Sequence, residues 1–201
     1  MNIDLVSIMK AVDFAARKHS HQRRKDVKKT PYVNHPIEVA TLLTENGITD
    51  VSVIISALLH DTLEDTQTTL NEIFDEFGSA ISRIVLECTD DKTLNKVERK
   101  RLQIEHAQKI SDQAKLVKLA DKYSNLLGIY DHPPQGWTNE DIQGYIYWSY
   151  AVCKNCFGIH EKVDQKLKDL FTTLKVPESI SDEELNLLLE AYYQRLNSIR
   201  Q

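Results

Sequence analysis

The sequence predicts an all-α fold, on the evidence of its composition and its hydrophobic periodicity. The 201 residues include only six glycines and five prolines, so a turn-rich β architecture is not indicated. Apolar residues recur at helical spacing along most of the chain, and no segment shows the sustained alternation of a strand. Hydrophobic residues make up 41% of the chain, which is enough to bury the core of one domain or of one domain with an appendage.

The first two predicted helices flank a basic loop. An apolar stripe at helical spacing predicts a helix over 4–19. Asn34 is expected to cap the next helix, which has Pro36 in its first turn, where a missing N–H group costs nothing. Asn46-Gly47 is expected to end this second helix, because both residues tolerate the backbone conformation of a helix C-terminus.

The third predicted helix, over about 51–62, begins at Asp50 as its cap and is apolar nearly all round, so it should be central. Thr69 and Glu72 form a capping box for a short helix that Gly78 ends. Five more helices are predicted over 79–88, 96–108, 112–128, 138–157 and 159–174.

The C-terminal segment is expected to differ from the rest of the chain. Residues 1–175 are predicted to form the main domain, and 176–201 a linker with one more helix. Ser181 and Glu184 form a capping box that opens this helix over about 182–198. The helix either packs on the same domain or extends from it as an appendage.

The charge and the cysteines exclude several classes of protein. A net charge of −5 argues against a protein that coats nucleic acid. The charge-free run Val51–Leu59 is too short to span a bilayer, and no secretory signal is evident, so a cytoplasmic location without membrane contact is expected. Cys88, Cys153 and Cys156 form no even disulfide framework, and the C-x-x-C pair is interpreted as ordinary helix cysteines.

The segment "ALLHDTLED" places chemically active groups where a buried helix ends. His60 and Glu64 are four residues apart, as are Asp61 and Asp65, so a continued helix would stack each pair on one side. Such groups are costly to bury unless they are paired or bind a metal. The alternative is a helix end with one satisfied histidine and solvated acids.

Two further segments favour the metal site. "YVNHPIEVA" places His35 in the first turn of a helix, and "KLVKLADKYSNLLG" places Asp121 on an otherwise apolar helix with Asn125 one turn on. Two imidazoles and two carboxylates suit one divalent ion with water in its open positions. Mixed N and O ligands favour Mn or Fe over Mg, and the lack of a cysteine ligand makes structural Zn a weaker alternative.

Four segments in this order resemble a known family. They are "HSHQRRKDVKKTPYVNHPIEVA", "ALLHDTLEDT", "CTDDKTLNKVERKR" and "KLVKLADKYSNL". His…His-Asp…Asp on helices is the pattern of the HD-domain metal-dependent phosphohydrolases. Within this superfamily, the four segments most resemble the (p)ppGpp hydrolase domain of the RelA/SpoT proteins. They are especially similar to the small, hydrolase-only members. The resemblance covers about residues 5–175, and it implies an HD-domain helical bundle.

The resemblance also implies roles for individual residues. The metal ligands of the family, for which manganese is the usual ion, match His35, His60, Asp61 and Asp121. The acidic pair that orients or deprotonates the attacking water matches Glu64 and Asp65. The family's nucleotide contacts match Arg24, Lys25, Asn125, Lys96 and Tyr145. Arg24 and Lys25 belong to a dense basic loop in an acidic chain, and the other cations of that loop are expected to be solvated. One departure is Leu127, where the family commonly has Arg.

The function implied by the resemblance is removal of the 3′-pyrophosphate from ppGpp and pppGpp, the nucleotides of the stringent response, by a metal-activated water. One alternative is a phosphatase of another nucleotide, such as the 2′-phosphate of NADPH. A second is a catalytically idle HD-like sensor, which would not need the acidic pair Glu64-Asp65. A third is a helical scaffold protein. A homo-oligomer is compatible with all of them.

Overall fold

The computed structural model describes residues 3–198, and these form helices joined by turns and loops. The helices are α1 (Ile3–Lys18), α2 (Asn34–Glu45), α3 (Val51–Leu59), α4 (Thr62–Asp65), α5 (Leu70–Phe77), α6 (Ser79–Cys88), α7 (Lys96–Ala107), α8 (Asp112–Asp131), α9 (Asn139–Lys154), α10 (Glu161–Thr173) and α11 (Asp182–Ser198). Within the described range no strand forms, and a single isolated bridge joins Arg23 and Pro31. The predicted all-α fold is confirmed.

The core consists of two clusters that meet at α8. The first surrounds α3, which is buried along most of its length and packs against α1, α2, α6 and α8. The second joins α8 to α9, α10 and α11. Val117 and Ala120 of α8 face the first cluster, whereas Leu119 and Leu126 face the second. A polar residue on α8 therefore lies between two hydrophobic layers.

Side-chain caps begin six of the described helices, whereas α2, α4, α6 and α10 begin without one. The Asp50 carboxylate accepts a hydrogen bond from the backbone N–H of Ser52 at the start of α3, as predicted. The prediction that Asn34 caps α2 is wrong. Val33 is the N-cap residue, no side chain caps the helix, and Asn34 is its first residue. A backbone turn, in which the N–H of Asn34 donates to the carbonyl of Pro31, prepares the start of α2 instead.

Three helix ends differ from the predicted ones by three residues each. Helix α3 ends at Leu59 and the separate turn α4 follows it, rather than one helix reaching 62. Helix α8 continues through Gly128 to Asp131, and α9 ends at Lys154 rather than 157. At Gly128 a side chain would crowd the guanidinium of Arg24, since an added Cβ would lie 3.3 Å from its Nη2.

Helix α11 packs on the main body of the chain against α9 and α7. Arg195 of α11 donates through Nε to Asp141 of α9 at 2.5 Å and through Nη2 to the hydroxyl of Thr138 at 2.7 Å. Where α9 and α11 approach most closely, Gly144 lies against the ring of Tyr192, and a Cβ at Gly144 would collide with that ring. The C-terminal helix is thus held by an ion pair and by close backbone packing.

The cysteines are thiols with no disulfide among the described residues. Cys153 and Cys156 are buried, and burial raises the pKa of Cys156 to about 11, which disfavours the reactive thiolate. None of the helices in residues 3–198 combines the length and the apolar character that crossing a membrane requires.

Candidate active site

Helices α2, α3 and α8 bring together the four donors that the sequence singled out. His35 lies in the first turn of α2, His60 and Asp61 follow the last residue of α3, and Asp121 lies midway along α8. The Nε2 atom of His35 lies 3.0 Å from Oδ1 of Asp121 and 3.5 Å from Oδ2 of Asp61. The Nε2 atom of His60 lies 3.1 Å from Oδ2 of Asp61 and 3.6 Å from Oδ1 of Asp121.

This spacing fits one divalent ion. Donors about 2.1 Å from a common ion lie roughly 3.0–3.5 Å apart in tetrahedral or octahedral geometry. The buried Nε2 of His60 has no hydrogen-bond partner in the described structure, so its lone pair is available to a cation. Burial opposes a charge on His60, yet Asp61 and Asp121 raise its pKa well above the usual range, which shows how negative the cluster is. His35, His60 and Asp121 could hold a divalent metal, with Asp61 beside them.

The two histidines are oriented through their other ring nitrogens. Nδ1 of His60 lies 2.8 Å from the carbonyl oxygen of Ala57, and Nδ1 of His35 lies 3.0 Å from the hydroxyl of Ser124. Ser124 in turn donates to the carboxylate of Glu38 at 3.1 Å. These bonds place the proton on Nδ1 and leave Nε2 as the ligand atom.

Replacement of Ser124 by alanine is therefore expected to weaken binding of a divalent metal by roughly 10-fold or more, because the ring of His35 loses the group that orients it. Isothermal titration calorimetry on the metal-stripped protein would measure the change. Ser56→Ala is the matched control, since Ser56 is also buried but its hydroxyl has no hydrogen-bond partner among the described residues. Equal metal affinity in the wild type and Ser124→Ala would contradict the proposed orienting role.

Three side chains hold the two carboxylates of the cluster. The hydroxyl of Tyr32 donates to Oδ2 of Asp61 at 2.7 Å. The ammonium of Lys122 donates to Oδ2 of Asp121 at 2.7 Å, and the amide of Asn125 donates to Oδ1 at 2.6 Å. Burial opposes ionisation of Asp121, but the charge of Lys122 and the neighbouring histidines hold its pKa well below the usual range. Both carboxylates are therefore ionised and available to a metal.

Glu64 and Asp65 of α4 lie beside the cluster in different environments. Glu64 accepts a hydrogen bond from the backbone N–H of Asp90 at 3.1 Å, and Oε1 of Glu64 lies 3.6 Å from Nη1 of Arg99. Burial, with the charge of Asp90, raises the pKa of Glu64 to about 7. Asp65 is more exposed and makes a 2.5 Å ion pair with Lys92. Glu64 is thus the better placed of the two to exchange a proton near neutral pH.

An open cleft of about 820 Å³ leads to the cluster. Arg24, Lys25, Asn125 and Tyr145 line it, together with Leu127. Nη1 of Arg24 donates to Oδ1 of Asn125 at 3.3 Å. Four of the five residues predicted to contact a nucleotide therefore line one cleft. Lys96 is exposed in the first turn of α7 and does not line this cleft, so its role stays a prediction.

Several residues of the site were not identified from the sequence. Tyr32 and Lys122 hold the carboxylates, Ser124 and Glu38 orient His35, and Arg99 approaches Glu64. A sequence signal existed for two of them, since Tyr32 precedes His35 by one turn and Lys122 is adjacent to Asp121. The contact of Arg99 depends on how α7 packs, and no local pattern indicates it.

Comparison with known proteins identifies the family of this chain. The HD domain family model matches residues 11–147. The chain belongs to the HD-domain family. This HD protein is 52% identical over 172 residues to the human guanosine-3′,5′-bis(diphosphate) 3′-pyrophosphohydrolase MESH1, which covers 85% of this chain and 96% of the relative. The resemblance inferred from the four sequence segments is confirmed.

Further relatives support the same family. The Drosophila melanogaster MESH1 protein is 47% identical over 164 residues, which cover 81% of this HD protein and 92% of the relative. A solved structure of a metazoan orthologue of SpoT that hydrolyses ppGpp superposes with a TM-score of 0.82 at 46% identity, covering 84% of this chain and 95% of that one.

Proposed function

We propose that this HD protein is a metal-dependent 3′-pyrophosphohydrolase that converts ppGpp and pppGpp to GDP and GTP with release of pyrophosphate. The observation that carries the proposal is the position of Glu64, a partly buried carboxylate with a pKa of about 7, beside four candidate metal-ligand residues at the end of an open cleft. A binding module has no need of such a proton acceptor. The relatives named for this activity provide independent support.

His35, His60, Asp61 and Asp121 are the residues that would hold the metal, and manganese is the ion we propose. When bound, such an ion lowers the pKa of a coordinated water and neutralises phosphate charge. The protein contributes orientation. Lys122 holds Oδ2 of Asp121, so that Oδ1 faces both Nε2 atoms, and Tyr32 donates to Oδ2 of Asp61, the oxygen that lies nearest the two histidines.

Glu64 is proposed as the proton acceptor for the water that attacks the 3′-linked phosphorus. The backbone N–H of Asp90 donates to Oε2 of Glu64, and Nη1 of Arg99 lies 3.6 Å from Oε1. At that distance Oε1 keeps the capacity to accept a proton. Asp65 is already paired with Lys92, so we propose that it orients the attacking water beside Glu64. The P–O bond to the ribose 3′-oxygen breaks, and that oxygen takes a proton.

The open cleft is proposed to hold the nucleotide. Arg24 offers a planar guanidinium that can stack on a base or fork onto phosphate, and Lys25 offers an exposed point charge at the rim. Asn125 joins the cleft to the metal-ligand cluster, because its amide donates to Asp121 while its carbonyl accepts from Arg24. Tyr145 closes the inner end of the cleft.

The proposed function is tested by returning manganese to the metal-stripped protein and supplying ppGpp, NADPH or a nucleoside monophosphate. We expect hydrolysis of ppGpp to GDP and pyrophosphate that depends on the added metal. Release of phosphate from NADPH alone would assign the site to a nucleotide 2′-phosphatase. Metal binding without turnover of any of the three would favour a nucleotide sensor.

The pH profile follows from the raised pKa of Glu64. Glu64 must be ionised to accept a proton, so kcat is expected to fall as the pH falls through the pKa of this group. A cation held nearby lowers that pKa, so the midpoint should lie at or below about 7. Initial rates measured from about pH 5 to about pH 8 would locate the midpoint. An unchanged acid limb in Glu64→Gln would assign the limb to another group.

Arg24→Ala is expected to lower kcat/KM more than Lys25→Ala does, because it removes stacking and a forked hydrogen bond together. Lys28→Ala and Lys29→Ala are the controls, since both residues are exposed in the same basic loop and neither lines the cleft. They should show only a small, salt-dependent change. Equal damage in Lys28→Ala and Arg24→Ala would indicate a diffuse basic patch instead of specific contacts.

A further inference from the structure

A buried lysine of α7 lies among three aromatic rings. The ammonium of Lys100 lies 3.2 Å from the ring centroid of Trp148, 4.9 Å from that of Tyr145 and 5.3 Å from that of Tyr192. Lys100, Trp148 and Tyr192 are buried, and Tyr145 also lines the open cleft. We call these four residues the lysine cage.

The rings of the lysine cage stabilise a charge that its surroundings oppose. Burial, together with the charge of the nearby Lys122, lowers the pKa of Lys100 well below the usual range. The face of an aromatic ring attracts a cation, most strongly where water is excluded. Each ring of the cage therefore contributes to holding the ammonium of Lys100 in one place.

The lysine cage joins three helices, one of which lies outside the matched HD domain. Lys100 belongs to α7, Trp148 and Tyr145 to α9, and Tyr192 to α11. The indole N–H of Trp148 donates to the carbonyl oxygen of Lys100 at 3.0 Å, so α7 and α9 are linked by this bond as well as by the ammonium. The HD family model ends at residue 147, so α11 lies wholly beyond it.

The lysine cage also contacts a residue that holds a candidate metal ligand. The ring centroid of Trp148 lies 4.9 Å from the ammonium of Lys122. Lys122 donates to Oδ2 of Asp121 at 2.7 Å. Consecutive contacts therefore lead from Tyr192 on α11, through Lys100, Trp148 and Lys122, to Asp121.

The position of Lys100 affects the position of Lys122. The two ammonium groups carry like charges and approach the same indole ring, so a shift of Lys100 would change both the repulsion on Lys122 and the place of the ring beside it. Tyr192 restricts such a shift, because it is the ring that α11 contributes to the cage. The docking of α11 thereby reaches the metal-ligand cluster.

We propose that Tyr192 is a positioning residue of the metal site, which acts through Lys100 and Trp148 on the Lys122 that holds Asp121. The inference rests on the proposed function, because it takes Asp121 to be a metal ligand. It gives α11 a role in the active site in addition to its packing against α7 and α9.

The test is calorimetric titration of the metal-stripped protein with manganese. We expect the dissociation constant of manganese to rise roughly 3–10-fold in Tyr192→Leu, which removes the ring but keeps an apolar side chain. This loss is smaller than the roughly 10–100-fold that follows from changing a group in direct contact with a ligand. Tyr192→Phe retains the ring face and should bind manganese as the wild type does.

Tyr193→Leu is the matched control for the ring of Tyr192. Tyr193 is the next residue of α11 and is equally buried, but its ring centroid lies 4.3 Å from the guanidinium carbon of Arg101, outside the lysine cage. Its replacement loosens the docking of α11 to a similar extent and leaves the cage complete. We therefore expect near-wild-type manganese affinity in Tyr193→Leu.

Wild-type manganese affinity in Tyr192→Leu, equal losses in Tyr192→Leu and Tyr193→Leu, or a loss in Tyr192→Phe as large as that in Tyr192→Leu would each overturn the inference. If Tyr192→Leu does not fold, Tyr192→Met is judged by the same criteria. Turnover of ppGpp by the wild type is measured separately. A wild type that binds manganese without hydrolysing ppGpp would lose the proposed function, while the comparison of the variants would still decide the role of Tyr192.

Discussion

Replacement of His60 by alanine is expected to abolish hydrolysis of ppGpp. The Nε2 atom of His60 is buried, lies 3.1 Å from Asp61 and 3.6 Å from Asp121, and has no hydrogen-bond partner within the described chain. Its loss removes a ligand atom and leaves the two carboxylates facing each other with less opposing charge. The loss of kcat/KM should exceed the roughly 10–100-fold that follows from changing a residue behind the ligands.

Three measurements separate this outcome from unfolding. The manganese content of the purified variant should fall, its helical circular dichroism should remain, and excess manganese should restore at most a small part of the activity. His160→Ala is a suitable control, since His160 is a partly buried histidine at the start of α10 that does not line the open cleft. A fully active His60→Ala protein with wild-type metal content would remove His60 from the ligand set.

Glu64→Gln is expected to bind manganese and nucleotide normally but to lower kcat by about 100-fold or more, the usual contribution of a general base. The amide can still accept from the backbone N–H of Asp90, so the local structure should persist. It cannot take a proton from water. Asp65→Asn should lower kcat less, because Asp65 is more exposed and its charge is engaged by Lys92.

Single-turnover kinetics would separate chemistry from product release in these variants. A lower single-turnover rate constant in Glu64→Gln with unchanged nucleotide affinity is the expected pattern. If Asp65→Asn were the more damaged of the two, the roles of proton acceptor and orienting group would have to be exchanged. Unchanged kcat in both variants would exclude the acidic pair from the mechanism.

The sequence predicted most of the helices because their signals are local. The cap at Asp50, the apolar run of α3 and the periodicity of α8 each act within a few residues. Helix ends were less certain, since tertiary contacts decide them. Helix α3 ends before His60, where the ring bonds back to the carbonyl of Ala57. Helix α8 passes through Gly128, where the missing side chain leaves room for Arg24.

The site was predictable to the extent that its residues are of a type that carries chemistry. His35, His60 and Asp121 are conspicuous on apolar helices, so the sequence alone raised them as ligands. The groups that support them are not conspicuous. The bond from Tyr32 to Asp61 joins residues 29 positions apart, and the approach of Arg99 to Glu64 depends on how α7 packs. Such features arise from packing, which one sequence does not specify locally.

The contact between Gly144 and Tyr192 predicts a pattern in homologous sequences. Because any side chain at the glycine would occupy the place of the tyrosine ring, the two backbones can approach as they do only when that position is glycine. Gly144 in α9 therefore indicates that a C-terminal helix packs against the main body of the chain. In a set of homologous sequences, a glycine there should occur together with a C-terminal extension, and a bulky residue with its absence. A single position could thus sort the family into extended and short architectures.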